Sequence, residues 1–302
     1  MRFTDLFEEF ILAGKAEGKS PNTLQNYRYD AKRFTDWLSQ EGIEDDLSGF
    51  ETRMFREFIL HLQDQEYAAQ TIRNTIAALR AIFRFGVLDD LIESDPMAKV
   101  DIPKVPEQEV DFFNDEEVYK MLQTCSRTRE ILDVRDKAII LLLYDTGIRA
   151  SELVAIKEQD IDIENGRLVV NGKGSKIRVV PFSPNTARAV SAYQRLRDRL
   201  LGTSESHDPL FLSERRKEPL TRNGLAQIIR NRGKKVGLHA YPHKFRHSFA
   251  MAALRNGARE YDIQDILGHS TMAMTQRYAK NTPNTLRESH QRFSPSSKLP
   301  RK

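Results

Sequence analysis

The stretch "DPMAKVDIPKVPEQEV" runs from Asp95 to Val110 and holds three prolines. Proline lacks the backbone donor and its ring collides with the preceding turn, so no helix crosses such a segment. It reads as an interdomain linker, 95–110. It leaves a segment 1–94 before it, a segment 111–293 after it, and a basic, low-complexity tail, 294–302 ("SPSSKLPRK"), that reads as disordered.

Working back from the linker, apolar residues recur at helical spacing, as in Leu24, Tyr27, Phe34 and Leu38, and again in Ile72, Ile76, Leu79 and Phe83. This predicts four helices, Thr4–Ala13, Pro21–Glu41, Glu51–Gln65 and Ala69–Asp89. Ser20 before Pro21 is a strong helix start, with a capping hydroxyl and a ring pre-set for the first turn. The fourth helix carries Arg73, Arg80 and Arg84 on one stripe, which taken alone reads as a solvated face.

Working forward, the chain is predicted helical to about Tyr144, and "AIILLLY" (Ala138–Tyr144) is apolar enough for a buried helix but far short of a bilayer span. "GRLVVNGKGSKIRVVPF" then alternates like a β-hairpin. Strands Arg167–Val170 and Ile177–Phe182 flank a Gly-rich turn that bears Lys173 and Lys176. Helices resume at Pro184. The fold class is mainly α with a small antiparallel sheet.

Composition narrows the classes of function. The chain has 302 residues, with 39% hydrophobic and 30% charged content, which suits two packed domains rather than a disordered chain. The N-terminus "MRFTDLFEEF" carries acids where a signal peptide would be basic and then apolar. Cys125 is the single cysteine and reads as packing in a cytoplasmic protein. Residues 1–108 hold 13 Lys and Arg against 20 Asp and Glu, whereas 109–302 hold 34 against 23. The basic second half points to a polyanionic partner.

Four stretches collect groups capable of chemistry: "DTGIRASEL" with Arg149 and Glu152, "NGKGSK" with Lys173, "YPHKFRHSFA" with His243, Arg246 and His247, and "LGHSTMAMTQRY" with His269 and Tyr278. On a helix begun by Pro242, Phe245, Phe249 and Ala252 share one face and His243, Arg246, His247 and Ala250 the other. Two imidazoles and a guanidinium on that side favour an anion site. His239, His243 and His247, spaced by four, raise a metal site as a rival. Pro242 interrupts a helix through all three, and no carboxylate or cysteine completes the set, so no metal is expected. Taken alone, Tyr278 reads first as a packed aromatic.

The ordered set Arg149, Lys173, His243-x-x-Arg246, His269 and Tyr278 resembles the tyrosine recombinase (phage integrase) family, most closely its XerC/XerD-type two-domain members. "LLYDTGIRASEL", "GKGSKIRVVPF", "HKFRHSFA" and "LGHSTMAMTQRY" carry the resemblance, and "SPNTLQNYRYDAKRF" resembles the start of the family's core-binding domain. The likeness covers nearly the whole chain. It implies a two-domain clamp, with an N-terminal helical bundle (1–94) that binds DNA and an α+β catalytic domain (111–293) of the DNA breaking–rejoining type.

The resemblance also implies roles. Tyr278 attacks a DNA phosphodiester to give a 3′-phosphotyrosyl bond. Its phenol, with an ordinary pKa near 10, needs activation. Arg149 and Arg246 clamp the non-bridging oxygens, where loss of one donor typically costs about 10²–10³ in rate. Lys173 protonates the 5′-oxygen as it leaves. His243 accepts a proton or donates to the phosphate, and His269 adds a hydrogen bond to it. Glu152 orients a neighbouring cation, and His247 supports the site without reacting. No cofactor is required. Candidate DNA contacts are Arg28 and Lys32 on the second helix, the stripe Arg73, Arg80 and Arg84, Lys176 at the hairpin, Arg222 as a base-reading arginine, and Arg230 with Arg232, Lys234 and Lys235 toward phosphates.

The expected partners are double-stranded DNA with inverted-repeat sites and three further subunits, as a homo-tetramer or with a related recombinase, with no membrane involved and a nucleoid-associated, cytoplasmic location. Strand exchange would run through a Holliday junction and serve dimer resolution or a mobile element. Two alternatives share the same residues: a type IB topoisomerase-like nicking–closing enzyme, and a catalytically silent DNA-binding regulator. The stretch after Tyr278, "AKNTPNTLRESHQRF", departs from Xer-type tails and is closer to mobile-element integrases.

Overall fold

The computed structural model describes residues 1–105, 110–127, 130–172, 177–201, 209–213 and 218–268. Lys173, Lys176, His269, Tyr278 and the tail 294–302 lie outside the described residues. The chain divides into two compact units, Met1–Gln108 and Glu109–Lys302.

The first unit is built from α1 (Phe3–Ala16), α2 (Pro21–Gln40), α3 (Thr52–Asp64) and α4 (Ala69–Leu88). Each agrees with a predicted helix to within a few residues at either end. Ser20 caps α2 by accepting from the Thr23 amide at 3.2 Å, with Pro21 at the first turn. Asp45 does the same for α1 from a distant loop, accepting from the Phe3 amide at 2.9 Å and the Thr4 hydroxyl at 2.8 Å. Phe34 is the hub of the core. Its ring meets Phe3 edge-on at 5.0 Å, Phe58 edge-on at 5.2 Å and Phe55 stacked at 5.4 Å, all four fully buried.

The proline-rich stretch does not behave as one linker. Met97 and Val100 are buried in this same core and Ile102 packs on it, while Thr52 donates to the Pro96 carbonyl at 3.0 Å. At the other end Val110 is buried in the second unit against Ala250, Met251, Ile263 and Leu267. Apolar residues placed between prolines are anchors here, a use that helix-breaking alone does not reveal.

The second unit comprises α5 (Asp115–Gln123), α6 (Ile131–Thr146), α7 (Ala150–Val154), β1 (Ile161–Asp162), β2 (Arg167–Asn171), β3 (Ile177–Pro181), α8 (Pro184–Leu201), α9 (Arg222–Lys234), α10 (Pro242–Arg255) and α11 (Glu260–Leu267). Asn114 and Glu117 form a reciprocal cap at the start of α5, each accepting from the other's amide at 2.9 Å. The apolar run in α6 is the centre: Ala138, Ile139, Ile140, Leu142 and Leu143 have no exposure. Helices α8 and α10 pack on α6. Strands β2 and β3 pair antiparallel with Leu168 opposite Val180 and Asn171 opposite Ile177, as the hairpin reading expects, and Leu168, Val170 and Val180 face the core. Strand β1 adds to the far side of β2. Two residues are too few to show a period, so this strand has no signature in the sequence.

Candidate active site

The geometry begins at the end of α6. Gly147 sits at φ 60°, in the left-handed region, and stops the helix. A Cβ there would lie 2.6 Å from the Leu267 side chain and 2.7 Å from Phe249, so glycine is required twice over. The chain then turns into α7 with Arg149 as the residue before its first turn. Glu152, three residues on, accepts from the Arg149 amide at 2.8 Å and from its Nη1 at 3.0 Å. The expectation that Glu152 orients a cation therefore has a geometry.

Glu152 has a second partner. Arg178 on β3 donates Nη1 to Oε1 at 3.0 Å and Nη2 to Oε2 at 2.9 Å. The carboxylate is buried and accepts four hydrogen bonds, which fills its lone-pair sites. Burial pushes its pKa up, but the bonds from Arg178 and Arg149 outweigh that and hold it below the usual range. Arg178 is a site residue that sequence reasoning missed. "KIRVVPF" showed it only as a strand residue.

Three guanidiniums converge on the C-terminal end of α11. Arg178 donates Nε to the Ile266 carbonyl at 2.8 Å. Arg246 donates Nη2 to the Leu267 carbonyl at 2.7 Å and Nη1 to the Gly147 carbonyl at 2.9 Å. Arg149 reaches the Leu267 carbonyl at 3.5 Å and the Gly268 carbonyl at 3.2 Å. The last carbonyls of a helix lack partners within it and carry its partial negative charge, so cations suit them. The physical effect is to moor the chain one residue before His269. Gly268 itself lies at φ 62°, and Arg178 packs so closely that a Cβ would meet its guanidinium at 3.2 Å.

Helix α10 supplies Arg246 and the two histidines, but not as the sequence suggested. Arg246 and Ala250 are buried rather than on an open polar face, as are Lys244 and Ser248. The reason is that α10 is covered on both sides. Phe245 enters the main core, and Ala250 and Met251 enter the cluster around Val110. Lys244 pairs with Asp111 at 2.7 Å and lies over the Phe113 ring. His243 stays exposed, with its ring 4.4 Å from that of His247 in an edge-on contact. Crowding by protein, and then the charges of Arg246 and Arg149, lower the His243 pKa, so its imidazole is neutral at neutral pH. His239 instead meets the Tyr241 ring at 5.4 Å, ahead of the helix. The structure thus brings Arg149, Arg246, His243, His247 and Glu152 together. Arg149 keeps 37% of its side chain accessible, enough to reach an oxyanion.

The candidate DNA contacts fall into several classes. On α4, Arg73 and Arg84 are exposed and Arg80 is half-buried. Lys32 is paired with Asp36 at 2.8 Å. Arg28 is half-buried and lines a depression with Thr4, Glu8 and Glu9 of α1, an acidic setting. Arg222 is exposed at the first turn of α9, and Arg230 is exposed and donates to Gln227 at 2.9 Å. Arg232 does not face solvent. It is buried among Asp133, Asp136 and the Thr124 carbonyl, so it cannot meet a phosphate. Cys125 is buried nearby, and burial pushes its thiol up, as a packing cysteine requires.

Known proteins resemble this chain along nearly its whole length. Residues 111–285 match the phage integrase family and residues 5–88 match the phage integrase N-terminal SAM-like domain. The chain is 35% identical to tyrosine recombinase XerA of Thermococcus kodakarensis, over 98% of this chain and 97% of the relative. It is 33% identical to tyrosine recombinase XerC of Oceanobacillus iheyensis, over 97% and 96%. A crystal structure of XerA recombinase aligns at 26% identity with a TM-score of 0.53, over 97% of this chain and 99% of that one. The Tn1549 transposon integrase, solved in complex with transposon right end DNA, shares the fold at a TM-score of 0.76 and 20% identity, over 97% and 99%.

Proposed function

The chain belongs to the phage integrase family and is a tyrosine recombinase, and from that premise we propose that it cuts and rejoins duplex DNA at specific sites through a covalent bond to Tyr278. The observation that supports this reading is the meeting of Arg149 and Arg246 on the Leu267 and Gly268 carbonyls, beside a neutral His243 and at the point where the chain enters the His269–Tyr278 segment. Relatives bound to DNA, such as the Tn1549 integrase and XerH on its difH substrate, favour a DNA partner.

In this reading the Tyr278 oxygen attacks the scissile phosphorus and the bond to the 5′-oxygen breaks. The Arg149 and Arg246 guanidiniums hold the two non-bridging oxygens as charge gathers on them. His243 takes the phenol proton, which its neutral ring is able to do. Lys173 gives a proton to the departing 5′-oxygen, and His269 donates to the phosphate. The product is a 3′-phosphotyrosine and a free 5′-hydroxyl. Attack by a 5′-hydroxyl from a second duplex reverses the step with exchanged strands. Four subunits on two inverted-repeat sites would complete the exchange in two rounds through a Holliday junction. Arg73, Arg84, Arg222 and Arg230, all exposed, and the half-buried Arg80 are the described residues we assign to DNA contact; Lys176 joins them on the resemblance. No helix among the described residues is long and apolar enough to cross a membrane.

A nicked suicide duplex tests the reading. Wild type should accumulate a covalent protein–DNA adduct and Tyr278→Phe should form none. An adduct with the variant would refute the assignment of the nucleophile. Relaxation of a plasmid that lacks any recognised site would point to nicking–closing instead.

A further inference from the structure

Arg178 has no assigned part in the reaction, yet like Arg149 it touches both Glu152 and the end of α11. It sits on β3, at the second position of the strand. One edge of its guanidinium spans both oxygens of Glu152, and its Nε holds the Ile266 carbonyl. Glu152 in turn holds the Arg149 side chain and amide. The Ile266 carbonyl is three residues before His269.

We infer that Arg178 is a positioning residue for DNA cleavage, setting the Arg149 guanidinium through Glu152 and fixing the origin of the His269–Tyr278 segment through the Ile266 carbonyl. This rests on the proposed function above. Both tasks need the planar fork of arginine. Two parallel donors meet the carboxylate while the Nε, on the other edge, meets the carbonyl. A lysine has one point of charge and cannot make the three bonds together. The guanidinium is itself held in place by Gly268, whose lack of a Cβ lets the two approach. Both edges of the Arg178 guanidinium are committed, one to the Glu152 carboxylate and one to the Ile266 carbonyl, which suits it to holding the site rather than the phosphate.

A rival role is available. Arg178 follows the turn that bears Lys173, and it could act by steadying that lysine. The two roles separate chemically. If the scissile 5′-oxygen is replaced by sulfur, the leaving group departs as a thiolate and needs no proton. A defect in proton delivery then disappears, whereas a defect in phosphate clamping or tyrosine placement persists.

The experiment measures single-turnover cleavage by the full chain on matched nicked duplexes, one with oxygen and one with sulfur at the 5′ position, together with the Kd for uncleaved DNA. The variants are Arg178→Gln, Arg178→Lys, Glu152→Gln and the double Glu152→Gln/Arg178→Gln. Misplacement of reacting groups by an ångström costs about 10²-fold. Arg178→Gln should therefore cleave both substrates about 10²-fold more slowly, with Kd within about twofold of wild type. The double variant should be no slower than the worse single, because the two residues act as one unit. Should Arg178→Gln fail to fold, Arg178→Lys carries the test, with an expected loss of about tenfold at unchanged Kd. Recovery of wild-type rate on the sulfur substrate overturns the inference in favour of Lys173. So does a multiplicative loss in the double variant, a loss in Kd that accounts for the loss in rate, or a wild-type rate in Arg178→Lys. No adduct from the wild-type chain would instead sink the proposed function.

Discussion

Arg232→Met should unfold the second unit easily while leaving its DNA contacts alone. Arg232 is 5% exposed and donates Nε to Asp136 at 2.8 Å, Nη2 to Asp133 at 2.8 Å and Nη1 to the Thr124 carbonyl at 2.6 Å. Both acids belong to α6, so this one side chain ties α9 to the central helix. Methionine fills similar space but strands the partners. Asp136 keeps Arg135, which donates at 2.8 and 3.0 Å, but among the described residues Asp133 keeps only the Arg127 amide and its largely exposed guanidinium. Removing one member of a buried ion pair costs about 3–5 kcal/mol, most of it for the charge left behind. At about 2–4 °C per kcal/mol for a unit of this size, Tm should fall by about 6–20 °C. Adding Asp133→Asn removes the stranded charge, so the double variant should lose less than the single. Thermal unfolding followed by circular dichroism measures this. Below the transition, the slope of log Kd for DNA against log salt should match wild type, whereas Arg230→Ala should reduce it by about one if Arg230 meets a phosphate. A Tm within about 2 °C of wild type, or a reduced salt slope for Arg232→Met, would refute the buried assignment.

Acid should act through the same cluster. Bonds from Arg232 and Arg127 outweigh burial and hold Asp133 at about 2 against an ordinary 3.8, which contributes about 2.5 kcal/mol that is fully present above pH 4 and lost as pH falls toward 2. The stability gap between wild type and Asp133→Asn, read by urea unfolding, should shrink over that window; a gap independent of pH would contradict it. Gly147→Ala forces a left-handed residue and drives a methyl into Leu267 and Phe249, so it should cost at least about 1–2 kcal/mol in the same assay, and wild-type stability would show that the turn relaxes freely. Because His243 is lowered below 6.5, cleavage should be flat around neutrality and fall on the acid side with a midpoint under 6.5, and a midpoint at or above that value would remove it as the base.

The helices of the first unit were legible because their apolar positions recur at one period, and the start of α2 carries a chemical mark in Ser20–Pro21. Periodicity fails where burial is not one-sided. The spacing in α10 predicts one apolar and one polar face, yet Arg246 at 2% exposure is almost as buried as Phe245 at none. Its charge is tolerated because the carbonyls of Gly147 and Leu267 take its donors, and those lie in other elements. The same blindness affects Arg232. Beside Arg230, Lys234 and Lys235 it looks like one more surface cation, since the acids that bury it are about a hundred positions away along the chain.

The site shows the same division at finer scale. Arg149 and Glu152 are three apart, so their contact follows from helix geometry and the sequence exposes it. Arg178 is joined to Glu152 across 26 residues and to Ile266 across 88, and nothing in "KIRVVPF" distinguishes its arginine from that of any solvated strand. A family motif lists the groups that touch the substrate because chemistry constrains their identity. A group that holds those in place is constrained by the acceptors around it, here one carboxylate and one helix end. Its signature is therefore the pair of orphan acceptors it satisfies. In this fold the mooring of α11 uses three arginines where electrostatics at a helix end needs one. Two of them are the proposed phosphate clamp, and a phosphate would compete with the Leu267 and Gly268 carbonyls for their donors. Arg178, with one edge of its guanidinium on Glu152 and the other on Ile266, is the one that can keep the helix end in place while the other two turn to DNA.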